Sequence, residues 1–153
     1  MNILKKVLLV LLVVLVIAQF FGPERNEGSL QSVEPFLAET KPNDQVATIL
    51  KETCFDCHSD FTRYPWYDKI TPVNYWLNDH VEEGKEHLNF SDWSNYSTKK
   101  KDHKMEEVAE EVEEGEMPLK SYTYTHADAN LSDEQIQAVV DWVNEVRRGY
   151  GVQ

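Results

Sequence analysis

Cys54-Phe55-Asp56-Cys57-His58 constrains this chain more than any other stretch. The spacing C-x-x-C-H places two thiols to form thioethers with the vinyl groups of a haem, and an adjacent imidazole to ligate its iron. Only 2 cysteines occur in the 153 residues, so neither a disulfide framework nor a second metal cluster competes for them. A C-x-x-C pair also suits a structural zinc site. Such sites supply a second ligand pair at short spacing, and no second C-x-x-C or closely spaced histidine pair follows, which leaves zinc the weaker reading.

Haem of this type is attached outside the bacterial inner membrane, and the N-terminus agrees with that compartment. Lys5 and Lys6 precede an apolar run from Val7 to Ala18, prolonged by Phe20 and Phe21. A basic flank before such a run is an export signal that keeps the lysines in the cytoplasm and sends the rest across. Val7 to Phe21 gives roughly 22 Å of helix at ~1.5 Å per residue, against ~30 Å of hydrocarbon. Ile3, Leu4 and snorkelling lysines make up much of the difference. No small-x-small cleavage site precedes the bulky Phe20-Phe21, so residues 1–22 are expected as an uncleaved transmembrane anchor rather than a removed signal peptide. The chain is then single-pass in the inner membrane through residues 3–21, with its domain in the periplasm.

Residues 23–42, with Pro23, Gly28, Ser29, Pro35 and Pro42, read as a linker that can lie against the domain surface. Residues 43–150 read as one domain, long enough to close a core with a haem supplying apolar surface. The formal charge is -12, from 15 Lys and Arg against 27 Asp and Glu. That balance argues against nucleic acid and anionic lipid as partners and suits a redox protein with a basic docking surface, or simply solubility.

The patterning is helical throughout. Pro42-Asn43-Asp44 starts a helix whose face of Val46, Ile49, Leu50 and Thr53 runs into Cys54. A second opens at Thr71-Pro72, carries Val73, Trp76, Leu77, His80 and Val81 on one stripe, and is expected to stop near Gly84. A third, Thr98 to Glu114, buries Met105, Val108, Ala109 and Val112 and ends at Gly115. Its lysines crowd the start and its glutamates the end, against the macrodipole, so packing must hold it. The last begins with the capping box Ser132-Asp133-Glu134-Gln135, buries Ile136, Val139, Val140, Val143 and Val146, and has Arg147 and Arg148 at its end.

The iron's other side needs a ligand or an open position. Met117, in Gly115-Glu116-Met117-Pro118, is the leading candidate: a soft thioether in an irregular segment after a helix stop, suited to raising the potential. Met105 sits on a helical stripe and reads as core. His80 and His87 are the rival ligands, while His103 and His126 lie in polar contexts and are expected to be exposed. Arg63, Tyr64, Trp66, Tyr67, Tyr122 and Tyr124 are candidates for covering the haem, each equally readable as ordinary packing. The His58 ring N–H is expected to meet a carbonyl from the loops around Pro65 or Pro72.

Four segments give the chain a family resemblance: Cys54 to Ser59, Thr62 to Tyr67, Glu83 to Phe90 and Glu114 to Leu119. It resembles the small bacterial cytochrome-c-like haem-binding domain proteins, related in pattern to class I cytochromes c, over about residues 43–146. The resemblance implies an all-α, class I cytochrome-c-like domain with terminal helices crossing near one covalent haem c, held through Cys54 and Cys57. It also implies iron ligation by His58 and Met117. The resemblance leaves the physiological role open; a six-coordinate haem tuned by the protein makes electron transfer rather than catalysis the leading reading. The alternative is a haem-based peroxidase or a gas or redox sensor with a displaceable sixth ligand.

Overall fold

The computed structural model describes residues 2–152. Its helices are α1 (Ile3–Ala18), α2 (Glu34–Thr40), α3 (Asp44–Ile49), α4 (Phe55–His58), α5 (Val73–His87), α6 (Thr98–Glu113), α7 (Lys120–Thr123) and α8 (Asp133–Tyr150), joined by short 3₁₀ turns. No strand forms among the described residues; Glu27 and Phe61 make one isolated antiparallel bridge.

Helices α3 and α8 start where the caps predict, whereas α5 starts at Val73 with Pro72, not Thr71, at its N-cap. Asn43 accepts from Val46 N at 2.9 Å to open α3, and Val46, Ile49, Leu50 and Thr53 are all buried. Ser132 and Gln135 complete a capping box on α8, which packs Val139, Val140, Trp142 and Val143 inward. Against it lies α6, with Met105 fully buried beside Ala109 and Val112. The core also gathers Phe36, Phe55, Phe90, Trp93 and Trp142, whose rings meet mainly edge-on.

Lysines at the start of α6 find partners both outside that helix and, for Lys104 with Glu107, within it. Lys101 pairs with Glu39 at 2.6 Å, and Lys100 sits 3.7 Å from the centroid of the Tyr96 ring. At the other helix, Arg147 of α8 reaches Asp102 at 3.2 Å and Glu106 at 2.8 Å, tying α6 to α8.

Three further boundary expectations change. Residues 23–42 do more than link: Val33 and Phe36 lie in the core at 1% and 0% exposure, and Asn26 binds the Ser59 carbonyl and Thr62 Oγ1, each at 2.9 Å. Val33 ends a 3₁₀ turn, Leu30–Val33, and Phe36 lies in the first turn of α2, so the two apolar side chains enter the core from adjoining elements. Next, α5 does not stop at Gly84 but continues to His87. A Cβ at Gly84 would stand 2.8 Å from the Cys57 carbonyl oxygen, so this glycine serves helix contact rather than termination.

The expected transmembrane helix is also not found. The 16 residues of α1 make about 24 Å at ~1.5 Å each, and no helix among the described residues is long and apolar enough to cross a membrane. The chain leaves the helix at Gln19, whose side-chain amide exchanges hydrogen bonds with the Thr71 backbone at 3.1 and 3.0 Å. Phe20 and Phe21 therefore continue outside it, and Met1 lies outside the described residues.

Candidate functional site

The motif sits at the end of one continuous helical segment. From α3 the chain passes through a π-helical turn, Leu50–Cys54, into α4, Phe55–His58. Wide turns of this kind frequently mark functional sites, because they re-aim the residues that follow. Phe55 is buried against Phe36 and Phe90, while Cys54, Cys57 and His58 remain half-buried.

His58 is the most firmly oriented of the three. Its Nδ1 lies 2.8 Å from the Gly84 carbonyl and 3.0 Å from the Leu88 carbonyl. Two acceptors require the proton on Nδ1, which leaves the Nε2 lone pair available to a metal. Both carbonyls come from the end of α5, not from the loops around Pro65 and Pro72. The cause is the close contact at Gly84, which brings that end onto α4. Burial pushes the imidazole below its ordinary value, partly opposed by the two carbonyl bonds, so it is neutral at neutral pH.

Both cysteines are uncharged thiols as well. Burial pushes Cys54 up to about 12, with Cys57 adding to it, and burial with the Asp56 charge pushes Cys57 up to about 12. A thiol–disulfide nucleophile needs the opposite shift. The donor set fits a covalent haem: two half-buried thiols, a neutral imidazole with a free Nε2, and adjoining apolar surface.

That surface lines a cavity of about 40 Å³ beside Cys57, with Trp76, Leu77 and Val81 from α5 and Leu119 from the opposite wall. A haem macrocycle is larger than this cavity, whose lining also includes Ser121, Tyr122, Thr125 and His126. The cavity's polar edge is Asp56, a residue that the sequence reading did not single out. Its carboxylate, 6% exposed, accepts from Arg63 Nε at 3.0 Å, Arg63 Nη2 at 3.1 Å, the Arg63 backbone N–H at 3.0 Å and Tyr122 OH at 2.8 Å. The available signal was a carboxylate between Phe55 and Cys57, inside the motif itself.

The remaining candidates separate clearly. Met117 is half-buried after Gly115, whose φ of 71° turns the chain, and its N–H donates to Glu111 O at 3.0 Å. Leu119 lines the cavity and Met117 does not. His80 does line it, with Nδ1 2.7 Å from the Trp76 carbonyl. His87 is exposed, and so is His103, whose Nε2 is 3.1 Å from Glu107. His126 corrects its expectation: it is half-buried, stacked on Tyr122 at 4.0 Å, and lines the cavity.

Among the candidates for covering the haem, Arg63 and Tyr122 are engaged by Asp56, Tyr64 OH accepts from Asn26 N at 2.7 Å, and Tyr67 OH donates to Thr125 at 2.8 Å. Trp66 and Tyr124 point outward at 76% and 85% exposure. Among the described residues no group of three or more His, Cys, Asp or Glu is placed to hold a metal ion, so the zinc reading has no ligand set here.

A family model described as a haem-binding domain matches residues 13–145. No curated protein and no solved structure matches the chain.

Proposed function

This chain belongs to the haem-binding domain family, and we propose that it is a membrane-attached electron carrier with one covalent haem c. Cys54 and Cys57 would hold the haem through thioethers, and His58, through Nε2, and Met117 are the residues that would ligate its iron. The haem supplies one-electron exchange at its iron. The protein's part is to orient His58 through the Gly84 and Leu88 carbonyls, to keep water from one face with Leu77, Val81 and Leu119, and to tune the iron with a soft thioether. The domain's helices then enclose the group in a class I cytochrome-c-like arrangement.

The observation that carries this reading is the doubly anchored His58 beside two protonated thiols. The role proposed is electron transfer rather than catalysis, the chemistry that a haem with both iron ligands supplied by the chain would support. A second reading has support of its own. His80 lines the cavity while Met117 does not, so a His58/His80 pair, or a displaceable ligand serving a gas sensor or peroxidase, is the alternative.

Attachment is assigned to residues 3–21 at the bacterial inner membrane, with the haem domain in the periplasm. No residue of α1 is buried, and Phe20 and Phe21 extend its apolar surface at 83% and 62% exposure. The net charge of -12 suits a redox partner with a basic docking surface and disfavours nucleic acid.

The test is expression with periplasmic haem-attachment machinery, followed by the spectrum of the denatured protein. Haem that stays with the chain is expected; its absence ends the reading. Met117→Ala should abolish the thioether-to-iron charge-transfer band of the oxidised protein. If that band is missing from the parent and His80→Ala alone changes the spectrum, the His80 reading replaces it.

A further inference from the structure

Arg63 and Asp56 form the one strongly bonded charge pair on the wall of the cavity that also receives Cys57. Asp56 lies within the attachment motif itself, next to Cys57. Its carboxylate is 6% exposed, whereas the Arg63 side chain is 41% exposed, so the two opposite charges are not screened equally by water. The negative member is the one held inside. Four donors converge on it: three N–H groups of Arg63 and the Tyr122 hydroxyl. The same guanidinium donates to the Glu52 carbonyl at 2.9 Å, which fixes it over the π-helical turn. A carboxylate so held has few alternative positions, and its field at the neighbouring thioether position is fixed.

This arrangement exceeds what packing needs. A neutral asparagine or an apolar residue of similar volume would fill the site, and a buried pair is weak evidence for stability. Its consequence is electrical. Oxidation of iron from the ferrous to the ferric state adds one positive charge, and a nearby buried carboxylate favours that state. An adjacent guanidinium disfavours it, less strongly where water reaches it. No bond forms or breaks and no proton moves; on oxidation the single electron passes to the redox partner, and reduction is the reverse transfer.

We propose that Asp56 and Arg63 together set the reduction potential of the haem, Asp56 lowering it and Arg63 offsetting part of that effect. The proposal rests on the covalent-haem reading above. Both are positioning residues, acting through charge and without touching the iron.

The experiment is a mediated redox titration of the full chain carrying its haem, with haem content of the denatured protein measured in parallel. Asp56→Asn should shift the midpoint potential upward. Arg63→Gln should shift it downward, Arg63→Lys should stay near the parent, and the Asp56→Asn/Arg63→Gln double variant should fall between the two single variants. Should Asp56→Asn fail to accumulate with haem, the Arg63 pair decides alone: a downward shift in the glutamine variant that the lysine variant lacks supports the proposal, and equal potentials overturn it. Single variants that retain haem and move in the same direction, or not at all, also overturn it and leave the covalent-haem reading standing. A parent chain that loses all haem on denaturation overturns both.

Discussion

Gly84 shows how much a single position governs the site. Its missing side chain lets α5 meet α4, and that contact delivers both carbonyls that orient His58. Gly84→Ala places a Cβ 2.8 Å from the Cys57 carbonyl oxygen and 3.1 Å from its Cβ, so the helices must separate. Overpacking of this kind costs about 1–3 kcal/mol. The expected outcome is a lower urea midpoint and, with His58 as the proposed iron ligand, a changed haem spectrum; an unchanged spectrum would show that the contact is not needed. Trp142 is a quieter case. Its Nε1 donates to the Thr40 carbonyl at 3.0 Å within the core. Trp142→Phe should lose about 1–3 kcal/mol by leaving that carbonyl unpaired, read from chemical denaturation.

Among the elements, the segment from Leu119 to Ala129 holds the least secure place. It consists of α7, of four residues, and a three-residue 3₁₀ turn, and its polar ties to the motif run through Tyr122 to Asp56 and the Glu52 carbonyl. Few buried contacts and short helices give low local stability. Since this wall borders the cavity, haem attachment should raise amide protection across residues 119–129 and in α5 while leaving α6 and α8 almost unchanged. Hydrogen exchange on the chain with and without haem measures the contrast, and uniform protection would argue against a local opening. By comparison α8 is capped at both ends, by Ser132 and by Gly151 at φ 62°. Ser132→Ala should cost ~1 kcal/mol in the unfolding free energy.

Over the whole molecule, charge sets how stability responds to pH. Burial pushes the Glu39 carboxyl up, but hydrogen bonds from Lys101 and Tyr150 outweigh it and hold the group below its ordinary value. A depressed carboxylate contributes stability above the unfolded value, ~4.3, which is lost as pH falls through the folded one. Glu39→Gln should therefore flatten the acid limb of the stability curve, measured by thermal melts from neutral pH downward, without altering the neutral-to-alkaline limb. Membrane attachment has its own check. The full chain should sediment with membranes, and replacing residues 1–21 by a cleavable export signal should release a haem-bearing domain into the periplasmic fraction; retention in the membrane after that exchange would place the anchor elsewhere.

Local chemistry made much of this protein readable from its residues alone. The C-x-x-C-H spacing, the Asn43 and Ser132 caps, the Gly115 stop and the apolar stripes of α3, α6 and α8 all depend on neighbours within a turn or two, and they lie where expected. The haem-binding character and the all-helical class follow from that level. What required the tertiary structure is every contact between segments distant in sequence. Gly84 reads as a stop until α4 is seen against it. Residues 23–42 read as a tether until Phe36 is found among Phe55, Phe90 and Trp93. Asp56 reads as a spacer inside the motif until Arg63 and Tyr122 converge on it. In each case the sequence specifies a residue's own conformational and solvation preferences, whereas its role is decided by which surface the fold brings within about 3–4 Å of it.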